Sequence, residues 1–292
     1  MKYQIVHTTE YLYHQSVSLC HNIALLIPRN TDQQECRRTV VKINPQPDVI
    51  NEYEDFFGNK AMYFAVQQEH SSLKVTVLSQ VETHKGRNLK MGLYNNVSWE
   101  EVACMLLGSE PENFEARQYI PSTALTPSTK EVRVYASQSF TTGRSVLEAT
   151  RDLVRRIYKD FEFKPGFTTV ATPLAEVMEQ RKGVCQDFAH LAIACIRSMG
   201  LPARYVSGYI ETLPPEGSEK LAGVDASHAW FSLFIPQSGW MDFDPTNDMI
   251  PTDQHITIGW GRDYADIPPL KGVVVSIGSH QLDVSVDVKR LD

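Results

Sequence analysis

Along the first ninety residues, hydrophobic and polar positions alternate with the period of two that a pleated strand imposes. Residues 2–13, 21–28, 37–44, 61–68 and 73–83 are rich in Val, Ile, Tyr and Thr. Turn residues separate them at Pro28-Arg29-Asn30, Asn44-Pro45-Gln46-Pro47 and Gly58-Asn59. Short strands at about ten-residue spacing predict an antiparallel, sandwich-like module. The period then becomes helical. Ser98 with Glu101 makes a capping box for a helix to about Leu107, and Thr126-Pro127 reads as an N-cap with proline at the first helical position. Ser145 with Glu148 is a second capping box, ahead of a stripe of Leu147, Thr150, Val154, Ile157 and Tyr158. Thr172-Pro173 starts a short helix ending near Arg181. After Gly183-Val184-Cys185 comes the strongest helical pattern of the chain. Phe188, Leu191, Ala192, Cys195, Ile196 and Met199 fall on one face, and Gly200 and Pro202 close the helix. Strand patterns return over residues 203–211, 228–235, 240–244, 273–277 and 282–288. The expected class is α+β: an N-terminal antiparallel β domain over 1–95, then 96–292 as a helical segment, a core of one helix packed on an antiparallel sheet, and C-terminal strands.

Composition narrows the function classes. The 292 residues suffice for about two average domains, and 42% hydrophobic with 22% charged residues fits a packed core without staples. Lys and Arg total 28 against 35 Asp and Glu, a net charge of −7, and no basic run offsets it, so no nucleic-acid partner is expected. Apolar runs such as residues 23–27 are far shorter than the roughly 20 residues of a membrane span. The N-terminus runs directly into strand alternation without a signal-peptide pattern, so the expectation is a cytoplasmic protein without a membrane partner. The five cysteines are Cys20, Cys36, Cys104, Cys185 and Cys195, an odd number with no C-x-x-C, and there is no H-E-x-x-H. Neither a disulfide framework nor a zinc site is signalled, and no cofactor or metal is expected.

One cysteine stands where chemistry is favoured. Cys185 opens the strong helix, where unpaired N–H groups and a partial positive charge favour a thiolate and would stabilise an oxyanion on a carbonyl it attacks. Most cysteines are buried small hydrophobes, and Cys195, in mid-stripe, is one by position. A nucleophilic thiol needs a base. His190 lies about 140° around the helix from Cys185 and points elsewhere. His228 opens a strand, and a hairpin through residues 236–239 leads to Trp240-Met241-Asp242-Phe243-Asp244. If Phe234 faces Trp240, Trp230 faces Asp244, and His228 is a same-face diagonal neighbour of that carboxylate, within side-chain reach. A four-residue loop would put His228 on the other face, so the pair requires an odd loop or a bulge. Asp242 is one pair further away, which favours Asp244.

Gly-Val-Cys-Gln-Asp-Phe-Ala-His at 183–190, Gly-Leu-Pro-Ala-Arg-Tyr-Val-Ser-Gly-Tyr at 200–209, His-Ala-Trp at 228–230 and Phe-Asp-Pro-Thr-Asn at 243–247 resemble the bacterial transglutaminase-like family. His7-Thr8-Thr9, Pro28-Arg29 and Phe57-Gly58-Asn59 resemble its N-terminal β domain, and residues 261–272 its C-terminal segment. The resemblance implies a papain-like catalytic triad carried by Cys185, His228 and Asp244, on a transglutaminase-like core. It also implies thiol-dependent acyl transfer on a peptide or protein amide substrate. Many relatives are described as candidate cysteine proteases or amidases. The chain is too short for the added β domains and calcium sites of animal transglutaminases, and no EF-hand loop is present. Hydrolysis is therefore expected over cross-linking, against two alternatives: a calcium-independent transglutaminase, and a non-catalytic binding or scaffold module that keeps the fold. A Cys/His metal site would need a fourth ligand that the sequence does not place. Gln186 and Asp187 read either as site residues or as dipole complementarity at a helix start. Trp230 and Trp240 read as core or cleft wall, and Arg204 with Tyr205 as a buried pair or site residues. The loop around Leu213-Pro214-Pro215-Glu216-Gly217 reads as a cleft-flanking lid or a plain surface excursion.

Overall fold

Alternation in the N-terminal residues produces two facing antiparallel sheets. The structure, a computed structural model, describes residues 1–84, 96–211, 227–275 and 278–291. Strands β1 (Lys2–Val17), β2 (Leu19–Ala24), β3 (Gln34–Asn44), β4 (Val49–Glu54), β5 (Lys60–Val66) and β6 (His70–Thr83) come first in the chain. Helices α1 (Trp99–Met105), α2 (Pro111–Arg117), α3 (Lys130–Ser137) and α4 (Val146–Asp160) follow. A short parallel pair, β7 (Glu162–Phe163) and β8 (Lys182–Gly183), brackets α5 (Leu174–Gln180) and leads into α6 (Cys185–Ser198). Strands β9 (Ala203–Ile210), β10 (Ser227–Ile235), β11 (Gly239–Phe243), β12 (His255–Gly261), β13 (Leu270–Val275) and β14 (His280–Arg290) complete it. The fold is α+β.

The C-terminal strands do not stay with the segment to which sequence order assigned them. β14 pairs with β1 in a sheet ordered β14-β1-β6-β3, and β13 pairs with β2 in a sheet ordered β13-β2-β5-β4. One end of the first sheet packs through Leu73, Val75 and Val77 on Phe64 and Val66 of the second. Its other end packs through Tyr3, Ile5, Val81, Val286 and Val288 on Tyr209, Ile256 and Ile258 of a third sheet, ordered β11-β10-β9-β12. Sheet one thus belongs to two cores at once.

The third sheet carries α6. Every residue of that helix from Asp187 to Ser198 is buried, so the expected stripe is only part of its contact surface. Ala189, Ala192 and Ala194 let neighbours approach closely, with β9 and β10 on one side and α3, α4 and α5 on the others. Each buried Leu, Ile or Phe in this layer contributes about 1.5–3 kcal/mol relative to exposure. Arg197, near the end of α6, spends its guanidinium on backbone carbonyls of Ala203 and Arg262 and on Thr126 Oγ1. That claim on Thr126 displaces the expected helix start there: α3 begins at Lys130, capped by Thr129 Oγ1, which accepts from Val132 N. Ser98 and Glu101 do form the reciprocal capping box. Ser145 precedes α4 without any side-chain cap bond.

Candidate active site

The residues singled out from sequence converge at one end of the third sheet, where β10 and β12 begin and β9 and β11 end. Cys185 is the first residue of α6. The turn before it is held by Asp187, whose Oδ2 accepts from Val184 N at 2.8 Å and from Thr168 Oγ1 at 2.6 Å. A Cβ on Gly183 would lie 2.8 Å from that oxygen and 2.9 Å from Asp187 Cβ, so only glycine leaves room for the fold-back. Burial pushes the Asp187 carboxyl up, and the two hydrogen bonds work against it. Asp187 is thus the clamp of the turn that presents Cys185.

His228, on β10, is 7% exposed, and Asp244, just past β11, is fully buried. Phe234 lies opposite Trp240 and Ile235 opposite Gly239, with a three-residue loop between them: the odd register that brings His228 to Asp244. His228 Nε2 donates to Asp244 Oδ2 at 2.7 Å. Cys185 is a further side-chain hydrogen-bond partner of the ring, and Asn247 Nδ2 lies 3.4 Å from Nε2. With Nε2 committed to Asp244, Nδ1 is the nitrogen left to the thiol. Burial opposes charge on this ring, but the hydrogen bonds and charges of Asp244 and Cys185 prevail and raise its pKa. Burial would likewise raise Asp244, yet hydrogen bonds from His228 and His255 hold its carboxyl well below the usual carboxylate range. The arrangement is a thiol, an imidazolium and a buried carboxylate in series.

Two further groups on that carboxylate were not singled out from sequence. His255, at the start of β12, donates from Nε2 to Oδ2 at 3.1 Å, and Asn247 donates from Nδ2 at 2.7 Å. Asn247 closes the Phe-Asp-Pro-Thr-Asn motif at 243–247, where sequence alone gives it no role. His255 heads a strand whose Ile256 and Ile258 alternate, but Gly259 and Gly261 mask the pattern. One ring nitrogen each of His228 and His255 and a carboxylate oxygen of Asp244 lie within 4.8 Å of one another, close enough for a cation, but hydrogen bonds already join both rings to Asp244.

The remaining candidates have structural partners. His190 Nε2 accepts from Tyr264 N at 3.1 Å, its ring lies against Tyr205, and burial lowers its pKa to about 3. Trp230 donates to Asp242 at 3.2 Å and covers Gly208, where a Cβ would lie 2.5 Å from the indole. Arg204 is packed between Trp240 and Trp260 and donates to Ser232 Oγ at 3.3 Å, so it does not pair with Tyr205. The loop around residues 213–217, read as a candidate lid, lies outside the described residues.

Residues 3–82 match the bacterial transglutaminase-like N-terminal region, and residues 134–245 the transglutaminase-like superfamily. An uncharacterized protein of Mycobacterium tuberculosis is 40% identical over 98% of this chain and 92% of its own length. The chain belongs to the bacterial transglutaminase-like family. A Mycobacterium leprae relative is 33% identical over 99% of this chain and 98% of its own. The fold is shared with a solved protein of Cytophaga hutchinsonii described as a candidate cysteine protease, at TM-score 0.78 and 21% identity, covering 100% of this chain and 91% of that one. A protein-glutamine gamma-glutamyltransferase of Pseudomonas aeruginosa matches locally, 30% identical over 34% of this chain and 16% of its own. The core of the chain has the transglutaminase-like fold, and no helix among the described residues is long and apolar enough to cross a membrane.

Proposed function

We propose that the protein is a cysteine-dependent acyl-transfer enzyme acting on amide bonds of a peptide or protein, with hydrolysis favoured over cross-linking. The observation that carries this reading is the buried His228–Asp244 pair, hydrogen-bonded at 2.7 Å, with the Cys185 thiol beside the ring at a helix N-terminus. In this mechanism the Cys185 thiolate attacks the amide carbonyl, and the first N–H groups of α6 receive the oxyanion. His228 then gives its proton to the leaving amine, with Asp244 holding the ring in the tautomer that allows it. The resulting thioester is resolved by water or by a second amine. Water is present at about 55 M, so an amine prevails only where a dedicated site raises its effective concentration. A cytoplasmic location is part of the same proposal.

The test is chemical. Iodoacetamide labelling with peptide mapping near neutral pH should modify Cys185 much faster than the buried Cys195, whose thiol burial pushes up to about 12. A glutamine- and amide-bearing peptide pool, incubated with a primary amine and a chelator, should then give mainly hydrolysed products. Dominant amine incorporation, or a strict calcium requirement, would replace hydrolysis with transamidation. Product formation that survives Cys185→Ala, or no product from the unmodified protein, would favour the binding-module alternative.

A further inference from the structure

Asp244 is saturated with donors. Oδ2 takes His228 Nε2, His255 Nε2 and Asn247 Nδ2, while Oδ1 takes the backbone N–H groups of Thr246 at 2.9 Å and Asn247 at 3.3 Å. A carboxylate has about four lone-pair sites, so five donors leave none of its charge unshared. Three of these donors are local, from the loop that carries Asp244 or its backbone. The histidines are different. They reach the same oxygen from β10 and β12, strands separated by β9 in the sheet.

His255 has one chemically consistent role there. Its Nδ1 faces the backbone N–H of Thr252 at 3.4 Å, a group that can only donate. Nδ1 must therefore accept, which leaves the ring proton on Nε2, pointing at Asp244. The ring is locked from outside as well. Its own backbone N–H donates to Thr252 O at 3.1 Å, and the Trp230 indole packs edge-on at 5.2 Å, itself anchored to Asp242. The groups facing the cluster are Cys185 from α6, His228 from β10, Asp244 and Asn247 from the loop after β11, and Thr252 ahead of β12.

We infer that His255 is a positioning residue for the reaction: by donating to the carboxylate oxygen that holds His228, it fixes that oxygen, and through it the imidazolium that faces Cys185. The inference rests on the reading of Cys185, His228 and Asp244 as the reacting set. Without His255, Asp244 stays ionised but loses the donor that fixes Oδ2 from the β12 side. The oxygen is then free to shift away from His228 Nε2, which weakens support for the imidazolium and moves Cys185 labelling to more alkaline pH.

The experiment measures the pH profile of Cys185 alkylation by iodoacetamide in the full chain, with His255→Leu, which fills the space without a donor, and His255→Gln, which restores an N–H near the position of Nε2. The expected result is an acid limb moved up by about one pH unit in His255→Leu, hence about tenfold slower labelling on the limb, as suits the loss of one hydrogen bond to a charged group. The alkaline plateau should be unchanged, and His255→Gln should follow the unmodified protein. Imidazole nitrogen NMR of the unmodified protein should report His255 as the Nε2–H tautomer, a readout that stands even if His255→Leu fails to fold. An unmoved acid limb in His255→Leu, or an Nδ1–H tautomer, overturns the inference while leaving a reactive Cys185 intact. A Cys185 that labels no faster than Cys195 in the unmodified protein instead overturns the enzyme reading, and the role of His255 with it.

Discussion

Three buried histidines hold different charge states because their neighbours differ. Burial lowers His7 to about 4 and His190 to about 3, and neither faces a carboxylate: His7 bonds Thr9 Oγ1 and Tyr209 Oη, and His190 bonds a backbone N–H. His228 is just as buried, but Asp244 and Cys185 overcome the desolvation and raise it to about 10. These shifts fix how stability depends on pH. Between the unfolded value near 6.5 and about 4, the unfolded chain binds protons at residues 7 and 190 that the folded protein refuses, so stability falls as pH falls, by up to about 1.4 kcal/mol per pH unit for each group. Above about 6.5 the folded protein keeps a proton at His228 that the unfolded chain has lost, so stability falls again as pH rises towards 10. Asp244, held low, adds stability that is lost only below the ordinary carboxylate range. Urea unfolding midpoints should therefore peak between pH 6 and 7, and His7→Phe should flatten the acid side. A midpoint at pH 5 equal to that at pH 7 would contradict this account. At this scale the sequence was readable where residue types are rare in combination. Cys185, His228 and Asp244 stood out because thiol, imidazole and carboxylate fell on a helix start and two paired strands. His255 did not, since a lone histidine before Ile256 carries no signal until the carboxylate it touches is known.

Elements with strong local chemistry were legible, and those defined by partners were not. The Ser98–Glu101 box follows from short-range rules and is present, while the hairpin register was open in the sequence and is the odd one that the His228–Asp244 pair requires. β4 was missed because it is an edge strand exposed at every position, with no alternation to read. The helix start at Thr126-Pro127 was displaced by a long-range contact, the guanidinium of Arg197. The element that matters most for chemistry is the first turn of α6. Asp187 bridges Val184 N and Thr168 Oγ1 there, so it caps the helix and ties it to the segment before α5. Asp187→Ala should cost about 1–2 kcal/mol, the range of a lost N-terminal cap. Because Cys185 lies inside the clamped turn, its iodoacetamide labelling should also slow, while Cys195 labelling stays negligible. Thermal unfolding and peptide mapping on one preparation check both. Unchanged labelling with reduced stability would mean that the cap supports the helix without positioning the thiol.

At the scale of the molecule, the chain order and the spatial order disagree, and the disagreement has a consequence. Residues 96–292 read in sequence as a catalytic unit with strands of its own at the end. In space β13 and β14 form edges of the two N-terminal sheets, and Val286 and Val288, 1% and 0% exposed, are buried against β1 and the third sheet. Polar ties also join residues 1–95 to the third sheet and its approach, among them Tyr209 Oη with His7 Nδ1 at 2.8 Å, Gln34 with both backbone groups of Thr257, and Asn59 with those of Trp260. Alternation marks β13 and β14 as strands but cannot name their partners, which lie more than two hundred residues away. A fragment of residues 96–292 should therefore fail to fold alone. It would expose the faces of β9 and β12 that Tyr3, Ile5 and Val81 cover, at about 1.5–3 kcal/mol for each large side chain left uncovered. It would also leave β13 and β14 as long unpaired strands, prone to aggregate. Co-expression with residues 1–95 should rescue solubility and rapid Cys185 labelling, since that piece supplies β1 and β2 as partners. Circular dichroism, a urea transition and thiol mapping on the fragment, alone and co-expressed, decide the matter. A fragment that unfolds cooperatively by itself and labels at Cys185 as the full chain does would show that the transglutaminase-like core folds without the sheets that its last strands complete.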